Sequence, residues 1–191
     1  MRIDPSMLIR YPTLGICGLS CRLCPRYQSE ASSRCEGCKT ESRLGAACSI
    51  QTCALKKQKV EYCGFCRLSN SCRKWADHCE AGLHLDSFVS YQKINENISL
   101  IRKHGLPEWD RLQREKERML RKLIDEYDEG RSRSYLCLAA TLLNLEDLAS
   151  AINEERKTRP AQSDLKSRSK EIHRILERIA EKKKIRLALR K

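Results

Sequence analysis

The chain has 191 residues, 12 of them cysteines, a net charge of +13, and 40% hydrophobic but only 5% aromatic residues. That apolar content serves a modest helical core rather than a large barrel, and 8 glycines and 5 prolines are too few for a many-turned β-sandwich. No stretch reaches the ~18 apolar residues of a membrane span, and Met1–Arg10 lacks the apolar run of a secretory leader, so a cytoplasmic, reducing setting is expected, where stable disulfides are rare.

Residues 1–84 hold 11 of the 12 cysteines, between Cys17 and Cys79, with no sustained hydrophobic period. They read as an irregular cysteine-rich domain. From Leu85 the pattern turns helical, with Phe88, Tyr91, Ile94, Ile98 and Ile101 at three- and four-residue steps. Asp86 or Ser87 suits its start and Gly105 its end, and Pro107 suits the first turn of the next helix. Leu112, Met119, Leu120, Leu123, Ile124 and Tyr127 give that helix an apolar side, and Gly130 stops it. Tyr135–Leu148 is the most apolar run and reads as a core helix broken near Asn144. Residues 85–155 thus form a helical domain.

Residues 156–191 read as a basic linker, around Arg159-Pro160, and an amphipathic helical tail starting at Asp164, with Ile172, Ile175, Leu176 and Ile179 on one stripe. The tail carries 14 Lys/Arg against 4 Asp/Glu. The charge asymmetry points to an acidic protein or a nucleic-acid backbone as partner. Without aromatics, the tail has nothing on which bases could stack. Its proximal half is expected to pack, and its distal half, from Lys182, to project into solvent. The overall expectation is a mainly α protein, in which the cysteine-rich domain packs on the helical domain.

The cysteine spacing is Cys17-x3-Cys21-x2-Cys24, Cys35-x2-Cys38, Cys48-x4-Cys53, Cys63-x2-Cys66 and Cys72-x6-Cys79. Two residues between cysteines let a tight turn aim both thiolates at one ion, and two such turns complete a tetrahedral sulfur site. Gly37 and Gly64 stand where such turns need them. An odd number of cysteines argues against a disulfide framework. All eleven, Cys17, Cys21, Cys24, Cys35, Cys38, Cys48, Cys53, Cys63, Cys66, Cys72 and Cys79, are therefore candidate metal ligands, and His78 is the nearest histidine.

The spacing leaves the metal open between zinc in a structural role and [4Fe–4S] clusters for electron transfer. Arg22, Arg26, Lys39, Arg67 and Arg73 are placed to offset the anionic sulfur. Cys17-x3-Cys21-x2-Cys24 also matches the cluster spacing of radical SAM enzymes. Those continue into a β/α barrel, and the 167 residues after Cys24 show no strand–helix alternation. Cys137, in L-C-L-A-A, reads as a small buried hydrophobe. No phosphate loop, H-E-x-x-H or serine nucleophile is evident.

The ordered motifs C-G-L-S-C-R-L-C-P-R-Y (17–27), C-E-G-C (35–38), C-S-I-Q-T-C (48–53) and C-G-F-C (63–66) are followed by I-R-K-H-G-L-P-E-W (101–109) and Y-D-E-G-R-S-R-S-Y-L-C-L-A-A-T-L-L (127–143). Over residues 14–153 the chain resembles an uncharacterised cysteine-rich family with a C-G-L-x-C-x-x-C-P opening, common in anaerobic archaea and bacteria. The resemblance implies metal binding by the cysteine block and an anaerobic host, which favours iron–sulfur, and it brings no reaction. The sequence thus leads to a metal-binding accessory or interaction protein with structural zinc, or to an iron–sulfur redox or electron-transfer accessory protein, free-standing or part of an enzyme.

Overall fold

The computed structural model describes residues 9–40 and 48–191. It is mainly helical, with 58% helix and 1% strand. The helices are α1 (Ser49–Thr52), α2 (Arg73–His84), α3 (Ile94–Tyr127), α4 (Arg133–Leu142), α5 (Leu145–Thr158) and α6 (Leu165–Lys182). No helix among the described residues is long and apolar enough to cross a membrane.

Local chemistry sets most of these boundaries. Asn144 accepts a hydrogen bond from the Asp147 N–H while Asp147 accepts one from the Asn144 N–H. This reciprocal cap divides the apolar run into α4 and α5 at the residue where the sequence reading breaks it. Asp164 caps α6 through the Ser167 N–H at 2.7 Å. Inside α3, Gly105 takes φ 83°, ψ 168°, which bends the helix, and Pro107 starts the turn beyond it.

Two apolar cores share α3. The first is built from the C-terminal half of α3 (Leu120, Leu123, Tyr127), α4, α5 and α6. The second joins Leu14, Ile16, Leu55 and Tyr62 of the cysteine-rich segment to Trp75 of α2 and to Ile94, Ile98, Ile101 and Trp109 of α3. The cores therefore separate along α3, within the stretch read as one helical domain. The cysteine-rich segment is pinned to this helix by polar contacts as well. Arg22 donates to Glu117 at 2.7 Å and meets Asp110 at 3.5 Å. Asn97 donates to the Gly18 carbonyl at 2.9 Å.

Three expectations are corrected. Residues 73–84 are not loop but the helix α2, which buries Trp75 and Gly82. A single large side chain facing the core leaves no apolar period to read. Conversely, residues 85–93 are not helical. Phe88 is exposed, and the Asp86 carboxylate accepts from Tyr91 N–H (2.7 Å) and the Ser90 hydroxyl (3.3 Å), which folds the segment into a loop.

The third correction concerns the distal tail, which does not project. Ile172, Ile175 and Leu176 of α6 are buried as expected, but so is Leu187 beyond it. Arg190 closes on Asp86. Its backbone N–H (2.8 Å), Nε (3.2 Å) and Nη2 (2.9 Å) reach the carboxylate, and its guanidinium also donates to the carbonyls of Gly82 (2.7 Å) and Leu83. The Asp86 N–H returns a bond to the Arg190 carbonyl at 3.0 Å.

Burial pushes the Asp86 carboxyl up. The hydrogen bonds and charge of Arg190, with the Tyr91 N–H, outweigh that and hold it down at about 2. A carboxyl depressed on folding stabilises the fold above its unfolded value and loses this as pH falls through the folded one. We expect the contact to contribute about 2 kcal/mol at neutral pH, fading between roughly pH 4 and 2. Denaturant melts across that range should show a decline that Asp86→Asn flattens. Deleting 182–191 should lower thermal stability. In the helical core, Leu142 is 2% exposed, and Leu142→Ala should cost about 2–5 kcal/mol in the same melts.

Candidate metal centre and adjoining cavity

Apart from Cys38, the cysteines are free thiols. Two of the three C-x2-C pairs adopt the same turn. Cys21–Leu23 and Cys63–Phe65 are single 3-10 turns, each closed by the N–H of the second cysteine on the carbonyl of the first at 3.0 Å. Glycine serves the pairs in different ways. Gly37 lies at φ 125°, a conformation side chains avoid. Gly64 is required by space, because a Cβ there would fall 2.4 Å from the Tyr62 ring. The Cys63 N–H donates to the Ile16 carbonyl at 3.1 Å, so the second turn is tied through the backbone to the stretch ahead of the first.

The cysteines fall into two neighbourhoods. Cys17, Cys21, Cys24, Cys35, Cys38 and Cys48 all line one cavity of about 690 Å³. Burial pushes the Cys17 thiol up to about 12, offset in part by the Leu19 N–H and reinforced by Cys38 and Cys48. The Cys21 thiol is lowered by hydrogen bonding from Cys38, against its burial. Cys24 is raised by burial, with the N–H groups of Tyr27 and Arg26 directed at its sulfur and Cys35 and Cys38 nearby. Backbone N–H groups aimed at sulfur favour the thiolate.

The second neighbourhood surrounds Cys63, whose thiol is pushed up to about 12 by burial and then by Cys66, Cys17, Cys53 and Cys72. Cys17 thus belongs to the edge of both. Cys79, on α2, has Arg102 and Tyr62 as its electrostatic neighbours rather than another thiol. Among the described residues no three His, Cys, Asp or Glu side chains are drawn close enough to hold one ion. The thiols are neighbours by turn and by charge, and ligation would require them to close by side-chain rotation.

Four of the five cations expected around the sulfur, Arg22, Arg26, Lys39 and Arg73, have partners elsewhere. Arg22 is held by α3. Arg73 meets Asp77 at 3.8 Å, and Arg26 lies over the Phe88 ring at 4.9 Å. Lys39 is buried on Glu61 (3.1 Å) and the Tyr11 carbonyl (2.9 Å), while still sensing Cys21 and Cys38. Arg73 pairs with a carboxylate four residues on, while Arg22, Arg26 and Lys39 have partners that sequence proximity could not indicate.

The remaining cavity walls come from residues the spacing of cysteines does not announce. His78 of α2 stacks on Trp75 (6.1 Å between centroids, 23°) and meets the Tyr91 ring edge-on at 5.5 Å. Tyr91 in turn feels the charges of Cys17, Cys48 and Cys38. Lys116 of α3 also lines the cavity. Burial brings its ammonium down to about 8, and it donates to the carbonyls of Leu143 (2.7 Å) and Thr141 (3.3 Å) at the end of α4. In the sequence it is one charge in a charged helix face.

Cys137 is 1% exposed in the helical core, as its apolar neighbours suggested. Burial pushes its thiol up to about 12, with Cys24 as the next contributor. Native protein treated with iodoacetamide should therefore leave Cys137 unmodified by peptide mass spectrometry, and label it only after denaturation. Comparison of the chain with protein-family models, with curated proteins and with solved structures gave no match.

Proposed function

We propose that this is a cysteine-rich metal-binding accessory protein of the reducing cytosol, with two centres rather than one per cysteine pair. The observation that carries the reading is the division of the thiols into six around the cavity and four around Cys63. The four, Cys53, Cys63, Cys66 and Cys72, match the donor number and softness of a closed structural zinc site. The cysteine-rich segment completes its core only against α3, so ligation would supply much of its folding free energy, about 10 kcal/mol per structural zinc.

A second reading applies to the cavity group, where six thiols open onto a space able to admit a small molecule. An iron–sulfur cluster with access to that space, in an electron-transfer or redox-accessory role, suits such a placement. The likeness to the C-G-L-x-C-x-x-C-P family, with its anaerobic hosts, adds weight to this alternative. When bound, a cluster would supply electron transfer. The protein's own residues would direct N–H groups of Leu19, Arg26 and Tyr27 at the sulfurs and wall off the site with Tyr91.

As for partners, the structure draws many tail cations into internal pairs: Arg156 with Glu126, Arg174 with Glu171, Arg178 with Glu154 and Lys183 with Asp147. Lys182, Lys184 and Arg186 stay exposed, and these are the residues we assign to an acidic partner, whether a protein surface or a nucleic-acid backbone. Protein purified without oxygen should contain bound metal by elemental analysis. A brown colour with absorbance near 400 nm (about that region for thiolate-bound iron) would select iron–sulfur, and colourless protein with zinc the first reading. Cys66→Ser should release the metal of the four-thiol centre and loosen the N-terminal fold by circular dichroism. Cys38→Ser should alter only the other centre. Metal-free protein with an intact fold would overturn the proposal.

A further inference from the structure

Within residues 56–74 two large apolar side chains stand in solvent, Phe65 at 54% exposure and Leu68 at 53%. Neither sits on a loose strand of chain. The Phe65 ring meets the buried Tyr62 ring edge-on at 5.3 Å, and Tyr62 meets Trp75 of α2 in the same way at 6.2 Å. Beyond it the Ser69 N–H donates to the Cys66 carbonyl (2.9 Å) and the Ser71 N–H to the Leu68 carbonyl (3.0 Å). The fold thus holds an aromatic ring at the surface that its own cores do not use.

The surroundings of that ring are basic and polar. Residues 56–74 carry six Lys/Arg against one acid, Glu61, and Glu61 is already taken by Lys39 at 3.1 Å. Lys57, Arg67 and Arg73 are exposed, as are Asn70 and Ser71. The Cys66 thiol donates to the Gln58 amide oxygen at 3.8 Å, which brings Lys57 alongside the turn that carries Phe65. Arg73 is anchored nearby, two residues before the Trp75 that packs on Tyr62. It meets Asp77 at 3.8 Å with side chains 93% and 65% exposed, a pair too wet to hold it. An exposed ring among cations is what single-stranded nucleic acid needs, because bases stack on the ring and phosphates meet the cations. A duplex offers phosphates but no free base face. A membrane suits the surface less well, since two apolar side chains bury little area in lipid and Asn70 and Ser71 would be carried in with them. An acidic protein would use the cations and leave the ring without a role.

We infer that the surface between Lys57 and Arg73 binds single-stranded RNA. A base stacks on Phe65, phosphates meet Lys57, Arg67 and Arg73, and ribose hydroxyls bond the side chains of Asn70 and Ser71. The surface supplies the aromatic ring that residues 156–191 lack. It goes beyond the metal proposal and does not rest on it, because none of these side chains is a thiol.

The probe is a fluorescein-labelled RNA of about 12 nucleotides and mixed sequence, within the span of single-strand sites. The full-length protein, purified without oxygen, is titrated into it and followed by anisotropy over a range of salt. Binding should be saturable, and at least about threefold tighter than to the same sequence as single-stranded DNA or as a duplex. Phe65→Leu keeps the apolar bulk and removes the aromatic face, and should weaken RNA by roughly 5- to 100-fold. Arg67→Gln should weaken it less and lower the slope of log affinity against log salt by about 0.7. Circular dichroism should be unchanged in both. Should Phe65→Leu misfold, Arg67→Gln and the comparison of RNA with duplex decide. No saturable RNA binding, equal binding of DNA or duplex, or wild-type affinity in folded Phe65→Leu overturns the inference. Phosphatidylserine vesicles and polyglutamate are the rival probes. If Phe65→Leu weakens either of these and leaves RNA binding intact, the surface belongs to a membrane or an acidic protein, and the inference falls. Metal assayed in the same samples separates the two proposals. Metal without RNA binding sinks only this one, and RNA binding by folded, metal-free protein sinks only the other.

Discussion

A chain segment that invests its residues in cysteine has little left with which to exclude water. Among the described residues, the buried side chains between Leu14 and Tyr62 complete their core with Trp75 of α2 and with α3. That helix gives Ile94, Ile98, Ile101 and Trp109 to the cysteine-rich side and Leu120, Leu123 and Tyr127 to the helical bundle. The changeover falls between Trp109 and Leu120, beyond the bend at Gly105, so one helix serves two cores. Every other placement follows from this sharing. The 3-10 turns sit where Arg22 and Gly18 reach α3, and the cavity is the space left between turns, α2 and helix.

Sharing of this kind explains which features the sequence discloses. Elements governed by neighbours in the chain are legible. The Asn144–Asp147 cap, the Asp164 cap, the Gly105–Pro107 interruption and the apolar stripe of α6 all state their roles within a few residues. Elements governed by distant partners are not. The α2 helix buries Trp75 and one glycine, which is no pattern at all. Phe88 and Tyr91 fall on a helical period by coincidence, while Asp86 takes the Tyr91 N–H and the Ser90 hydroxyl into a loop and is itself held by Arg190, 104 positions away. A local signal and a long-range partner compete there, and the partner wins.

The cysteines show the same limit at finer scale. Spacing identifies the thiols and the turns that carry them, and the twin turns at Cys21 and Cys63 follow directly from it. It does not sort the thiols into groups. Cys48 and Cys53 are close in sequence yet belong to different neighbourhoods, and Cys17 borders both. The polar walls opposite the sulfur were invisible for a further reason. Gln51, His78 and Lys116 become neighbours of one space only after α1, α2 and α3 have been arranged, and none is unusual where it stands in the chain.

The bond between Arg190 and Asp86 has a bearing on the order of events during synthesis. Asp86 anchors the loop whose Phe88 and Tyr91 wall the cavity, and Arg190 is made 104 residues later. While the nascent chain is still emerging, the loop beside the cysteines has its local bonds from Tyr91 and Ser90 to Asp86 but lacks its long-range fastening. The thiols therefore spend the interval of translation more open to solutes than they are in the finished molecule, and the wall closes only once Arg190 has left the ribosome.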